Sequence, residues 1–216
     1  MQNPRFDLSV YFVADPSLCM ERDVADIVRA AVTGGATMVQ LRNKSGNILE
    51  LLEQAQKLRN VLRPLNVPFI INDRVDVAKE MDADGVHLGQ GDMNPAEARK
   101  ILGTEKIIGI TAFTVNHFKA IDPDIIDYAG TGPFYPTKTD KGKPVMGAAK
   151  FSALVKISPV PVVGIGGVTP DSAPLVIKSG AAGVAMMRAI SETYNPEQAA
   201  RNFASAVSTA RQRKAS

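Results

Sequence analysis

The chain alternates short apolar runs with longer stretches of mixed polarity. Val10–Val13, Met38–Leu41, Phe69–Ile71, Gly85–Leu88, Ile107–Ile110, Ile126–Ala129, the run opening at Val162, and Gly183–Met187 read as eight strands. Their apolar residues fall on both faces, as in parallel strands buried on both sides. The intervening stretches carry helical spacing. Val24, Ile27, Val28, Ala31 and Val32 form one apolar face that stops at Gly34-Gly35. Asn47 caps a helix with Glu50 at its third position and Ile48, Leu51, Leu52, Ala55, Leu58 and Leu62 on its apolar face. Asn94-Pro95-Ala96-Glu97 and Asn195-Pro196-Glu197-Gln198 are further helix starts. Shorter helices are expected over Val75–Met81, Val115–Ile121 and Ala149–Ile157.

The count of eight strands and the strict alternation predict an α/β fold, a (β/α)₈ TIM barrel forming a single domain over residues 1–216. A doubly wound open sheet is the rival. The polar residues favour the barrel. Gln40/Arg42/Lys44, Asn72/Asp73, Gln90/Asp92, Thr111, Thr137/Thr139 and Gly166/Gly167 all lie at or just beyond strand ends. In a barrel those ends meet on one face. The stretch Val162–Thr169 reads as a buried strand, a glycine turn and a fresh helix, with Thr169 as cap and Pro170 as first helical residue. Such a turn lets a ligand approach the backbone.

Composition narrows the field. The 216 residues are 45% hydrophobic and 22% charged, with a net charge of +3, ordinary for a globular protein and too weakly basic to argue for nucleic acid. Arg211-Gln212-Arg213-Lys214 reads as a short, disordered basic tail from about residue 211. Cys19 is alone, which excludes an internal disulfide and fits a reducing compartment. With no membrane-length apolar run and no leader pattern, the expected location is the cytoplasm. A homo-oligomer is left open.

Asp73 and Asp92 follow consecutive strands, so their carboxylates can converge with Asn72 or Gln90 into an oxygen-rich environment suited to Mg²⁺ and a phosphate. Taken singly, Asp73 reads as a helix cap and Asp92 as a turn residue. Arg42 and Lys44, two apart, face one way if their strand runs on, and both suit a phosphate. Thr137-Lys138-Thr139 offers two hydroxyls and an ammonium in a glycine-flanked loop. His87 falls within a strand, where a hydrogen-bonded core histidine is expected; His117 reads as helix surface. The chain has no Gly-x-Ser-x-Gly elbow, no Walker loop and no dinucleotide fingerprint after its first strand. The residues by themselves point to a Mg²⁺-dependent enzyme acting on a phosphorylated or diphosphorylated small molecule.

Five motifs in order, Gln40-Leu41-Arg42-Asn43-Lys44, Asn72-Asp73-Arg74, His87-Leu88-Gly89-Gln90-Gly91-Asp92-Met93, Gly132-Pro133-Phe134-Tyr135-Pro136-Thr137-Lys138-Thr139 and Gly164-Ile165-Gly166-Gly167, resemble the thiamine-phosphate synthase family. The resemblance covers nearly the whole chain. It implies coupling of a hydroxymethylpyrimidine diphosphate to a thiazole phosphate, with loss of pyrophosphate by a dissociative route. It implies that Gln40, Arg42, Lys44 and Asn72 hold the pyrimidine diphosphate and that Asp73 and Asp92 bind Mg²⁺. Thr111, where the family usually has serine, would contact the pyrimidine. Thr137, Thr139, Gly166, Gly167, Met187 and Arg188 would hold the thiazole phosphate. Arg42, Lys44, Thr111 and Lys138 are the implied catalytic set.

Three positions depart from the family pattern. Asp140 stands where a lysine usually follows Thr-x-Thr, leaving Lys138 or Lys141 to serve. Arg188 replaces a serine and either grips the thiazole phosphate or points outward. Phe113 stands where family members and the related thiazole tautomerases often carry histidine. A metal-free tautomerase and a non-catalytic thiamine-phosphate-binding barrel are the alternatives.

Overall fold

The computed structural model describes residues 5–44, 46–139, 142 and 144–215. Eight parallel strands close on themselves in chain order, which excludes the open sheet. They are β1 (Val10–Ala14), β2 (Met38–Leu41), β3 (Phe69–Asn72), β4 (Gly85–Leu88), β5 (Ile107–Thr111), β6 (Tyr128–Thr131), β7 (Val162–Ile165) and β8 (Gly183–Met186). The helices are α1 (Val24–Thr33), α2 (Ile48–Leu62), α3 (Val75–Glu80), α4 (Pro95–Leu102), α5 (Val115–Lys119), α6 (Gly147–Lys156), α7 (Ala173–Lys178), α8 (Arg188–Ser191) and α9 (Pro196–Ala215). None of them is long and apolar enough to cross a membrane.

Alternation along the strands sorts side chains into two shells. Phe12, Val39, Leu41, Ile71, Val86 and Ile108 belong to the large core between strands and helices. Tyr11, Met38, Ile70, Ile107, Tyr128, Val163 and Ala185 form a separate core inside the barrel, closed from below by Phe6 and Leu8. One pleat further along, these inward columns turn polar. Gln40 follows Met38, Asn72 follows Ile70, and Thr111 follows Ile107 by two pleats. Register puts Asn72 beside His87, and Thr111 beside Gly130. An apolar plug therefore carries a polar floor at the carboxyl ends of the strands.

Several expected boundaries shift. β6 runs over Tyr128–Thr131, two residues later than the apolar run Ile126–Ala129. The Ile126 N–H is spent on a turn to Asp122, and Asp127 is the residue that starts pairing, its N–H donating to the Ile108 carbonyl. Thr169 and Ser172 do exchange capping hydrogen bonds, Thr169 N–H to Ser172 Oγ at 2.9 Å and Ser172 N–H to Thr169 Oγ1 at 3.3 Å. The chain turns once more before α7 begins at Ala173, so Pro170 is not its first residue. The short α8 carries no apolar period and was not expected.

The disordered tail is corrected too. α9 continues to Ala215, and Arg211 docks under the barrel, donating to Ser9 Oγ at 2.6 Å and to the Ala182 carbonyl. Ser9 and Ala182 precede β1 and β8, so this cation ties the last helix to the seam where the barrel closes.

Candidate functional site

The second, third and fourth strand ends meet as the spacing of their acids requires. Asp73 sits immediately after β3 with φ +63°, a left-handed conformation that aspartate tolerates better than most residues. Its N–H donates to the His87 carbonyl at 2.8 Å, which pins the turn to β4. Arg74, not Asp73, precedes α3 and it makes no capping bond, so the capping role for Asp73 is not realised. The Asp73 carboxylate instead meets Lys44 Nζ at 3.3 Å and the carboxyl of Asp92. Partial burial and the adjacent Asp92 hold the Asp73 carboxyl above its ordinary pKa, against the pull of Lys44. Asp92 also keeps its turn role, since its Oδ2 accepts from Gly89 N–H at 2.6 Å. A cleft of about 310 Å³ opens here, lined by Lys44, Asn47, Asn72, Asp73 and Arg74 among others.

Arg42 and Lys44 do not face one way. β2 ends at Leu41, and beyond it the two cations part. Arg42 reaches back across β1 to Asp15, Nη1 to Oδ2 at 2.5 Å, whereas Lys44 turns to Asp73. Asp15 is almost wholly buried, and its other oxygen caps the turn at Ser17, accepting from N–H at 3.1 Å and from Oγ at 2.6 Å. It is thus a rigid anchor for the guanidinium. Sequence reading missed it because an aspartate before Pro16 looks like an ordinary turn residue.

Gln40 and Thr111 lie in the polar floor. Gln40 is buried and donates from Nε2 to Tyr11 Oη at 2.6 Å. Thr111 Oγ1 lies 2.9 Å from His87 Nε2, and its carbonyl accepts from Gln90 Nε2. His87 is a hydrogen-bonded interior histidine, as expected; burial pushes its pKa down to about 4, slightly opposed by Asp92. It is therefore neutral at physiological pH.

The other side of the mouth is built from β6, β7 and β8. Gly166 and Gly167 are both left-handed, at φ +94° and +66°. Their open sides are filled by protein. A Cβ at Gly166 would lie 2.6 Å from Pro133 Cα, and one at Gly167 would strike the Pro136 carbonyl and Tyr135 Cβ. The glycines seat the loop after β6, which hydrogen-bonds back through Phe134 N–H to Ile165 O at 2.9 Å and Tyr135 N–H to Gly166 O at 3.0 Å. Thr139 N–H donates to Thr137 Oγ1 at 3.3 Å, and Arg188 Nε donates to Thr139 Oγ1 at 3.2 Å. Arg188 is also paired with Glu192, one turn along α8 that starts after Met187. Its guanidinium is about one-third exposed and is held between Thr139 and Glu192. Lys138 is exposed. Asp140 and Lys141 lie outside the described residues.

A second cleft of about 290 Å³ lies at the opposite face, lined by Arg59, Arg63, Asp82, Asp84 and Lys106 among others. Two of its cations share one carboxylate, Lys106 to Asp82 at 2.7 Å and Arg59 to Asp82 at 3.7 Å. That is the face where barrels carry stability.

The chain has clear relatives. A family model described as thiamine monophosphate synthase matches residues 10–190. A thiamine-phosphate synthase of Xanthobacter autotrophicus is 47% identical over 208 residues, 95% of this chain and 98% of the relative. One from Azorhizobium caulinodans is 41% identical over 208 residues, with the same coverage of 95% and 98%. The solved thiamine phosphate pyrophosphorylase of Pyrococcus furiosus superposes with a TM-score of 0.86 at 31% identity, covering 96% of this chain and 99% of that one. With the family model matched over most of the barrel and relatives similar over nearly the whole length, the chain belongs to the thiamine monophosphate synthase family.

Proposed function

We propose that this protein joins a hydroxymethylpyrimidine diphosphate to a thiazole phosphate, forming thiamine phosphate and pyrophosphate. The observation that carries the reading is the convergence of Lys44, Asp73 and Asp92 at adjacent strand ends, beside Asn72 and the open cleft. Two adjacent carboxylates, of which Asp73 is held above its ordinary pKa by burial and by Asp92, form with the neighbouring lysine a donor set for a small hard cation shared with a diphosphate. The residues present fit Mg²⁺, which Asp73 and Asp92 would hold. When bound, it would neutralise charge on the departing pyrophosphate.

The chain's own groups account for the rest. Arg42, held by Asp15, and Lys44 offer fixed positive charge to the diphosphate. The bond from the pyrimidine methylene carbon to the diphosphate oxygen breaks first, and both electrons leave with pyrophosphate. The thiazole nitrogen then donates its lone pair to that carbon. No proton has to be abstracted for this exchange, so a neutral interior His87 is no obstacle. Gln40 and Thr111 orient the pyrimidine. Thr137, Thr139 and the Gly166-Gly167 turn bind the thiazole phosphate, and Arg188 can exchange Glu192 for that phosphate. Lys138 is the described cation of the loop after β6.

The test is pyrophosphate release with both substrates and Mg²⁺. It should require all three components. Absence of release from folded protein, or release surviving EDTA, sinks the reading.

A further inference from the structure

We propose that a hydrogen-bond relay through the barrel interior sets the donor and acceptor polarity of Gln40 and Thr111 together, making Tyr11, Tyr128 and His87 positioning residues for the pyrimidine. The inference rests on the reaction assigned above. The relay has four links. Gln40 Nε2 donates to Tyr11 Oη at 2.6 Å, and Tyr11 Oη lies 2.7 Å from Tyr128 Oη. Tyr128 Oη lies 2.9 Å from His87 Nδ1, and His87 Nε2 lies 2.9 Å from Thr111 Oγ1.

Proton counting fixes the direction. An amide nitrogen cannot accept, so the Tyr11 proton must go to Tyr128. Tyr128 then has only His87 Nδ1 left as an acceptor. That nitrogen must be unprotonated, which places the imidazole proton on Nε2, aimed at Thr111 Oγ1. Thr111 has accepted, so its own proton is free for a ligand. At the other end, Gln40 has spent an N–H inward and presents its carbonyl oxygen to the mouth. The two ends are complementary: one acceptor and one donor. That pair matches the edge of an aminopyrimidine, whose exocyclic amine donates and whose ring nitrogen accepts. Rotating the Gln40 amide reverses every link and inverts both ends, so neither end is set alone.

The barrel makes room for this chain at a packing cost. A Cβ on Gly109 would fall on the Tyr128 ring, and one on Gly130 would lie 3.2 Å from His87 Cε1. Two phenol hydroxyls inside the inner core would be costly if unpaired, and phenylalanine would fill the same space without them.

The experiment uses the full chain, ¹⁵N-labelled at histidine, with His117→Gln to assign the two imidazoles. His87 should be the Nε2–H tautomer in the parent, and Tyr128→Phe should convert it to a mixture of tautomers. Tyr11→Phe and Tyr128→Phe should each raise KM for the pyrimidine diphosphate about tenfold, the loss of one aligned hydrogen bond. KM for the thiazole phosphate should stay within about twofold, because no link reaches that side. Combining the two should cost little more than either alone, since one break interrupts the chain. An Nδ1–H tautomer in the parent overturns the relay. So does an unchanged pyrimidine KM in Tyr11→Phe, which removes one hydroxyl two links from His87 and keeps the test open should Tyr128→Phe fail to fold. The tautomer needs no turnover to be read, so a failed relay is told apart from a failed reaction assignment.

Discussion

His87 makes a quantitative demand on acid stability. Its pKa is pushed down to about 4 in the folded protein by burial, from an ordinary 6.5. As pH falls, the unfolded chain takes up the imidazole proton first. The sign follows: the contribution is intact above about pH 6.5 and is lost as pH falls toward 4. Between about pH 7 and pH 5 the unfolded imidazole goes from mostly neutral to almost fully charged, while the folded one stays mostly neutral. Integrating the two titrations over that window gives about 2 kcal/mol. The ring is not fully sealed from solvent, so this is an upper figure. The assay is urea unfolding at both pH values for the parent and for His87→Gln, with m-values compared. The variant is expected to be less stable at neutral pH, since it breaks two hydrogen bonds. The quantity that matters is the difference between pH values. Carboxylates that titrate in the same window contribute to both proteins and cancel. The parent should lose about 2 kcal/mol more than the variant on acidification. If both lose the same amount within about 0.5 kcal/mol, His87 is not held neutral by burial and the reasoning fails.

Three further outcomes are expected. Asp15→Asn leaves Arg42 without its buried partner and should cost about 3 kcal/mol in denaturant unfolding, with a raised pyrimidine diphosphate KM; a change below about 1 kcal/mol would mean the pair is solvated. Gly167→Ala forces a side chain into a left-handed position against Tyr135 and the Pro136 carbonyl, so it should lower stability by more than about 1 kcal/mol and weaken thiazole phosphate binding, and an unchanged melting temperature would refute that packing. Asp92→Asn should abolish pyrophosphate release and also abolish any rise in melting temperature on adding Mg²⁺, which the parent should show by mass action; an equal rise in both proteins would move the cation elsewhere.

The fold was legible because each of its units is written locally. Asn47 with Glu50 and Asn94 with Pro95 mark helix starts that the structure reproduces, with Asn47 Oδ1 accepting from Glu50 N–H at 3.0 Å and Asn94 Oδ1 from Ala96 N–H at 2.9 Å. β6 was displaced because its pairing residues include Gly130 and Thr131, which lack the apolar signature that Ile126 carries. The tail was misjudged because four polar residues resemble a frayed end, whereas Arg211 satisfies the Ala182 carbonyl, 29 residues back, and the Ser9 hydroxyl, 202 residues back, just ahead of β8 and β1. Long-range partners of that kind leave no local trace.

The same distinction explains what was visible in the site. Asp73, Asp92 and Lys44 sit just past strand ends, where a polar residue interrupts an apolar run and stands out. Their convergence then follows from closure alone, since consecutive strand ends in a barrel are neighbours. Tyr11 and Tyr128 interrupt nothing. Each occupies an inward apolar position, and its ring belongs to the inner core as fully as Met38 or Ile70. What sets them apart is a single hydroxyl on each, and those hydroxyls meet at 2.7 Å across 117 residues of sequence. Gly109 and Gly130, which look like weak points in strands β5 and β6, are the spaces those partners need. A barrel of alternating layers can thus carry polar instructions from β2 to β5 beneath its site, through positions that periodicity assigns to packing.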